Sequence, residues 1–202
     1  MSNLRLYSRN LWPVMLVPIS AARVVPLPAL FRHQSDLHGQ AHVARVMVHA
    51  MRLIAITGRH AYGPQLWAAV FLHDLARTHD GVCHRHGADA AQRLRDEPVL
   101  QQRLAEAGLV EADYPAIEAA VTAHSAPKEV VREHPHWPLI ALLKDADGLD
   151  RVRLGDLDPR YVRHPESKGM VPFAQALFDA TDGVIATGPA HFEQLIVVAE
   201  GL

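Results

Sequence analysis

Residues 66–75 read Leu-Trp-Ala-Ala-Val-Phe-Leu-His-Asp-Leu, an almost continuous apolar run that ends in a histidine and an aspartate. Pro64 precedes the run, and proline is favoured in the first turn of a helix. We therefore predict a central, buried helix at this point of the chain. An ionised carboxylate is costly to bury unless it is paired or bound to metal, so His73 and Asp74 require a partner.

The flanking sequence predicts more helices. Apolar residues recur at helical spacing from Leu37 to Ile56, with Ser35 or Asp36 as the N-cap and Gly58 just beyond the end. Shorter helical patterns cover residues 87–94, 99–107, 115–123, 138–149, 173–181 and 190–198. Residues 151–170 are rich in basic side chains, proline and glycine, which favours a long loop. The predicted fold class is all-α, because no alternating strand pattern stands out.

Length and composition indicate a single helical domain with an N-terminal arm. The 202 residues are 49% hydrophobic and 21% charged, an ordinary globular balance. Prolines and Arg23 interrupt the apolar stretch from Val14 to Phe31 before it reaches the roughly 20 residues that a bilayer requires. We therefore predict no membrane segment, an extended arm over residues 1–32 and a helical domain over residues 33–202.

The net charge and the cysteine content limit the classes of binding partner and of metal ligand. The formal net charge of -2 provides no broad positive field, so long nucleic acid is disfavoured and a small-molecule substrate is favoured. The single cysteine, Cys83, cannot form an internal disulfide, which is typical of a protein in the reducing cytoplasm. Metal ligands must then be histidines and carboxylates. The sequence leaves the oligomeric state open.

Two further segments carry side chains suited to metal binding. His38 and His42 lie four residues apart and would share one face of the first long helix. Asp145, Asp147 and Asp150 interrupt an apolar helix near its end. Imidazole and carboxylate groups drawn from three separate helices suit Mn, Fe, Co, Ni or Zn, and the carboxylates also admit Mg.

The order of these segments resembles the HD superfamily of metal-dependent phosphohydrolases, whose pattern is an early histidine, a His-Asp doublet and a late aspartate. The resemblance covers roughly residues 36–155. It implies a helical bundle of the HD type around one or two divalent ions. It also implies that His42, His73, Asp74 and Asp147 are the metal ligands, with Asp74 also acting in catalysis by orienting water.

Other polar residues are weaker candidates. His86 and His124 occupy places where some two-metal members of the superfamily carry extra ligands. They are predicted as second-metal ligands or acid–base groups, with a surface or substrate-facing position as the alternative. Ser125 stands where that pattern usually has a second histidine, which argues against a complete second site. His38 is either an outer partner of a ligand or a surface residue. The remaining histidines, which include those at positions 49 and 191, are predicted at the surface.

Four cations are candidates for substrate binding. Arg77 follows the doublet by three residues, and its guanidinium suits a catalytic role in which it holds a phosphate through a bidentate fork. Lys144, Arg151 and Arg153 are weaker candidates for phosphate binding, because charged side chains in a loop are usually solvated.

The function implied by the resemblance is hydrolysis of a small phosphate ester, plausibly a nucleotide, through attack of metal-activated water on phosphorus. Two alternatives stay open at this point. One is a di-iron oxygenase of the same superfamily, for which the additional histidines would serve as iron ligands. The other is a sensor that binds a nucleotide without turning it over.

Overall fold

The computed structural model describes residues 18–202, and these residues form helices and turns without any strand. The α-helices are, in chain order, α1 (Gln40–Thr57), α2 (Gly63–Leu72), α3 (His86–Asp96), α4 (Pro98–Glu106), α5 (Tyr114–Ser125), α6 (Trp137–Leu149), α7 (Pro165–Gly169), α8 (Val171–Thr181) and α9 (His191–Glu200). The all-α prediction is confirmed at this level. None of the helices in the described range is long and apolar enough to cross a membrane.

Helix α2 lies at the centre of the core, as its sequence predicts. Every residue from Leu66 to Leu72 is buried, and the rings of Trp67 and Phe71 lie with their centroids 5.4 Å apart. Burial of an aromatic side chain of this size contributes about 1.5–3 kcal/mol to stability. Helix α1 packs beside α2 and ends at Gly58, whose φ of 67° is the left-handed conformation that glycine adopts without strain.

Helices α5 and α6 complete the centre of the bundle by packing on each other and on α1 and α2. Helix α3 lies against α5 on one side, while α8 and α9 cover α1 on the other. The C-terminal ends of α2, α5 and α6 are brought to the same end of the bundle as the first turn of α1. This arrangement gathers polar side chains from five helices, since α3 also begins there.

Residues 18–32, the described part of the predicted arm, lie against the helical body; residues 1–17 are outside the described range. The arm forms two short 3-10 turns and buries Val24 and Phe31 in the core. Trp67 Nε1 donates a hydrogen bond to the Val24 carbonyl oxygen at 2.9 Å. The arm is therefore anchored by the central helix.

The start of α1 differs from the prediction. The helix begins three residues after Leu37, and Gly39, rather than Ser35 or Asp36, precedes its first residue. Ser35 Oγ instead accepts hydrogen bonds from the backbone N–H groups of Leu37 and His38, at 3.0 and 2.8 Å. These bonds form a separate turn, so His38 lies before the helix and not on its face.

The segment 151–170, predicted as a long loop, consists largely of short helical turns: the 3-10 turns Asp150–Leu154 and Pro159–Tyr161 and the helix α7. Asp145, fully buried in α6, accepts hydrogen bonds from the backbone N–H groups of Arg163 and His164 at 2.7 and 2.8 Å and from Ser167 Oγ at 2.8 Å. These bonds satisfy a buried carboxylate and fix the segment against α6.

Candidate metal centre

His42, His73 and Asp147 form a first cluster of potential metal ligands. They come from the first turn of α1, the residue that follows α2 and the last turn of α6. His42 Nε2 lies 3.2 Å from His73 Nε2 and 3.3 Å from Asp147 Oδ1. Both histidines are fully buried, whereas 29% of the Asp147 side chain is exposed, which leaves this carboxylate accessible. The structure therefore brings together three of the four ligands expected from the sequence.

Asp74, His86 and His124 form a second cluster. His86 Nε2 lies 3.1 Å from Asp74 Oδ1 and 2.8 Å from His124 Nε2. His124 Nε2 is 3.8 Å from the same Asp74 oxygen. The three side chains are each only 3% exposed. The two histidines are thus close to the doublet, even though Ser125 replaces the expected paired histidine.

Asp74 joins the two clusters. Its Oδ2 lies 3.5 Å from His42 Nε2 and 3.8 Å from His73 Nε2, while its Oδ1 faces the second cluster. One carboxylate therefore presents a different oxygen to each group of histidines. This is the position of a carboxylate able to bridge two cations.

The hydrogen bonds of the ring Nδ1 atoms determine what each Nε2 atom can do. The Nδ1 atoms of His73 and His86 each lie 2.7 Å from a backbone carbonyl oxygen, and His124 Nδ1 contacts the Val121 carbonyl oxygen. A carbonyl oxygen can only accept, so these Nδ1 atoms carry the proton and the Nε2 atoms of the neutral rings carry lone pairs. His42 Nδ1 lies 2.7 Å from a buried carboxylate oxygen, which has the same effect.

In the neutral rings of His86 and His124, the two Nε2 lone pairs face each other at 2.8 Å and cannot form a hydrogen bond, because neither nitrogen has a proton to donate. A cation that accepts both lone pairs turns this repulsion into attraction. Metal-bound histidines usually donate a hydrogen bond from their other ring nitrogen to a carbonyl or carboxylate oxygen, as these histidines do. The donor set therefore fits metal binding. These buried His/Asp clusters could hold a metal ion.

The pKa shifts of His73 and Asp74 agree with this fit. Burial lowers the pKa of His73 to about 4, so its ring is neutral at pH 7. Burial would raise the pKa of Asp74, but His73 and hydrogen bonds from neighbouring histidines hold it well below its ordinary value. Burial and Arg153 would lower the pKa of His42, but the hydrogen bonds with Asp147 and a second carboxylate raise it. A metal ion would therefore compete with a proton for the Nε2 atom of His42.

The ends of the helices add to the attraction for a cation. His73, His124 and Asp147 all stand at or next to the C-terminal ends of their helices. The backbone carbonyl groups at such ends carry partial negative charge, which stabilises nearby positive charge.

His38 and Arg77 both contact Asp74. His38 Nδ1 lies 3.1 Å from Asp74 Oδ2, and Arg77 Nε donates to Asp74 Oδ1 at 2.9 Å. A second nitrogen of Arg77 donates to the Gly81 carbonyl oxygen at 3.3 Å. Both side chains are therefore placed to orient Asp74, and the phosphate-binding role of Arg77 stays a prediction.

A cavity of about 340 Å³ opens onto the clusters at His124 and Asp147. Lys144, Arg151 and Arg163 line its walls. Arg77 is not among the lining residues. The wall also carries three carboxylates, those of Asp147, Asp156 and Asp158, and Asp156 pairs with Arg151. The cavity is within the size range of small-molecule sites, and its cations offer contacts to an anionic group of a ligand.

Asp150 and Arg45 are the functional pair that the sequence interpretation missed. The Asp150 carboxylate, fully buried, lies 2.7 Å from His42 Nδ1 and accepts a 2.7 Å hydrogen bond from Arg45 Nε. This carboxylate fixes the ring of His42, and the guanidinium balances its charge. A signal existed in the sequence, because Arg45 lies three residues after His42 and so shares its helix face.

Gly87 allows α3 to approach α5 closely. A Cβ atom at this position would lie 2.2 Å from the Val121 carbonyl oxygen and 3.0 Å from His124 Nδ1. We expect Gly87→Ala to push the helices apart, to destabilise the protein by about 1–3 kcal/mol and to weaken metal binding at the second cluster. Chemical denaturation and metal titration measure both effects. Gly169→Ala is the matched control, since nothing lies within 4 Å of its Cβ, and equal behaviour of the two variants would contradict the prediction.

No family model matches the sequence, and it is not significantly similar to any curated protein or solved structure. The functional interpretation therefore depends on the geometry of the two clusters and the cavity.

Proposed function

We propose that this protein is a metal-dependent hydrolase of small phosphate esters of the HD type, with one divalent ion in each cluster. The observation that carries the proposal is the position of Asp74, whose two oxygens face different pairs of histidines. Two-metal centres that share a carboxylate suit phosphoryl transfer, in which charge on both the attacking and the leaving oxygen needs stabilisation.

His42, His73 and Asp147 would hold the first ion, and His86 and His124 the second, with Asp74 between them. Divalent ions supply Lewis acidity, which activates water and polarises a phosphoryl oxygen near neutral pH. The chain's own part is to orient the four imidazoles through their Nδ1 hydrogen bonds, so that their Nε2 atoms face the clusters. Because the Nε2 atoms of His86 and His124 both point at the shared carboxylate, we assign these residues to metal binding rather than to acid–base catalysis.

The donor set of four imidazoles and two carboxylates determines which metal ions the site prefers. Mg²⁺ prefers oxygen ligands, whereas imidazole-rich sites suit Mn, Fe, Co, Ni or Zn. The cavity supports a phosphate ester as substrate, because Lys144, Arg151 and Arg163 offer positive charge next to Asp147. Its size admits a nucleotide or a compound of similar volume.

The same donor set also suits a pair of irons that activate dioxygen. This second function is favoured by the four histidines and the shared carboxylate, whereas Lys144 and Arg163 on the cavity wall favour the phosphohydrolase. A coloured, oxygen-sensitive iron pair combined with no hydrolysis of phosphate esters would decide for the oxygenase.

The test is metal analysis of the purified protein, combined with a screen of phosphomonoesters and nucleotides in the presence of Mn, Co, Ni, Fe, Zn or Mg. Chelator-treated protein that is reloaded with each metal provides the control. We expect close to two ions per chain and hydrolysis that returns with one of the imidazole-preferring metals. The proposal would be refuted if none of these metals bound tightly, or if the protein kept full activity after complete metal removal.

A further inference from the structure

One face of α6 connects the metal centre to the wall of the cavity. Lys144 and Asp147 lie three residues apart on the same side of α6, and Arg151 follows in the 3-10 turn Asp150–Leu154 just beyond the end of the helix. All three line the cavity. With a rise of about 1.5 Å per residue, the position of Lys144 is displaced by roughly 4.5 Å along the helix axis from that of Asp147, a residue of the first cluster.

Lys144 and Arg163 together hold the carboxylate of Glu129. Lys144 Nζ lies 3.0 Å from Glu129 Oε2, and Arg163 binds both carboxylate oxygens, with its Nη2 at 2.7 Å and its Nε at 3.1 Å. A guanidinium that binds both oxygens of an anion in this way is also the usual ligand of a phosphate group.

The two cations and the carboxylate differ in burial. The side chains of Lys144 and Arg163 are 9% and 18% exposed, whereas that of Glu129 is 49% exposed. The cations have therefore already lost most of their water in the folded protein. Glu129 lies in the irregular segment 126–136 between α5 and α6, so its side chain can leave without disturbing a helix.

Asp145, the other acidic neighbour of Arg163, cannot leave in the same way. It is fully buried and accepts four hydrogen bonds of 2.7–2.9 Å from the backbone N–H groups of Arg163 and His164, from His164 Nδ1 and from Ser167 Oγ. These bonds keep Arg163 in place on the cavity wall whether or not Glu129 is bound. Glu129 is thus the exchangeable anion of the group.

We propose that Lys144 and Arg163 form a second anion subsite of the cavity, which Glu129 fills in the free protein and which an anionic group of the ligand takes over. The ligand class is a phosphate ester with a second phosphate group, one group at the metal clusters and the other between the two cations. The assignment of a substrate to this subsite depends on the proposed function, but the subsite itself can be tested without turnover.

The test compares Glu129→Gln with Glu133→Gln, an exposed glutamate of the same segment. The probes are methylphosphonate, which has one anionic group, and methylene-, ethylene- and propylene-diphosphonate, which have two groups at increasing separation. Affinity is measured by calorimetry on the metal-loaded protein, with metal content checked afterwards. We expect Glu129→Gln to bind at least one diphosphonate about tenfold more tightly and methylphosphonate unchanged, because the internal competitor loses its charge.

Glu133→Gln should change neither affinity. An equal change for methylphosphonate and the diphosphonates in Glu129→Gln, or no change for any of them, would overturn the subsite. As a second variant, Lys144→Met keeps most of the apolar stem of the side chain, and we expect it to abolish the advantage of diphosphonates over methylphosphonate. An undiminished advantage would equally overturn the subsite.

The outcomes separate the subsite from the proposed function. Metal binding and ester hydrolysis without any effect of Glu129→Gln would leave the hydrolase standing and remove the subsite. Selective tightening for diphosphonates in a protein that hydrolyses no ester would support the subsite and refute the hydrolase.

Discussion

Replacement of Asp74 by asparagine is expected to remove metal from both clusters and to lower hydrolysis by roughly 10³-fold or more. The shared carboxylate offers one oxygen to His42 and His73 and the other to His86. Asparagine has the same shape, but it carries no negative charge and only one of its two terminal atoms can bind a cation. Both clusters therefore lose a ligand through one substitution.

Metal analysis and turnover measurements check this prediction. His86→Gln provides the comparison, because it changes the second cluster alone and should leave the first ion bound. Asp96→Asn, at an exposed position of α3, provides the control for the loss of one negative charge and should retain both ions. If the Asp74→Asn protein retained both ions with unchanged affinity, Asp74 would not join the clusters.

The positions of the main helices could be predicted from the sequence because the relevant signals are local. Gly58 ends α1 and Pro64 stands in the first turn of α2, as expected. The start of α1 could not be predicted in this way. Ser35 and Asp36 both have the composition of an N-cap, but Ser35 forms a turn of its own instead. Only the packing of the chain decides between such local alternatives.

The residues of the candidate site could be predicted where several sequence motifs agree. The burial of a single histidine outside those motifs could not. His42, His73 and Asp147 converge as predicted from their order along the chain. The surface position predicted for His49 and His191 is wrong, since both are buried. Spacing along a helix gives the face of a residue, but it does not show which other helix covers that face.

The second cluster shows the same limit. From the sequence alone, Ser125 argues against a complete second site, because it stands in place of a paired histidine. In the structure Ser125 Oγ accepts a hydrogen bond from the Gly87 backbone N–H at 3.2 Å and helps to hold α3 against α5. Asp74 provides the carboxylate oxygen that faces His86 and His124. The spacing of residues along the sequence does not show that two clusters share one side chain.

The second large effect is expected for Asp150→Leu. This change leaves the guanidinium of Arg45 buried without its carboxylate, which costs about 3–5 kcal/mol of stability. It also removes the partner of His42 Nδ1, and loss of such a partner usually lowers metal affinity by about 10–100-fold. Denaturant unfolding measures the first effect and metal titration the second. Asp156→Asn, at an exposed ion pair with Arg151, is the control that should change neither.

A double variant separates the two roles of Asp150. In Arg45→Met combined with Asp150→Leu, the ion pair of these two residues is absent, and replacement of a buried ion pair by apolar residues of similar volume is often neutral for stability. Arg153, whose Nη1 lies 3.5 Å from Asp150 Oδ2, still loses its carboxylate. We therefore expect the double variant to regain part of the lost stability while its metal affinity stays low, because His42 still lacks an acceptor for its Nδ1 proton. Recovery of metal affinity together with stability would instead mean that Asp150 acts on the metal centre only by maintaining the fold.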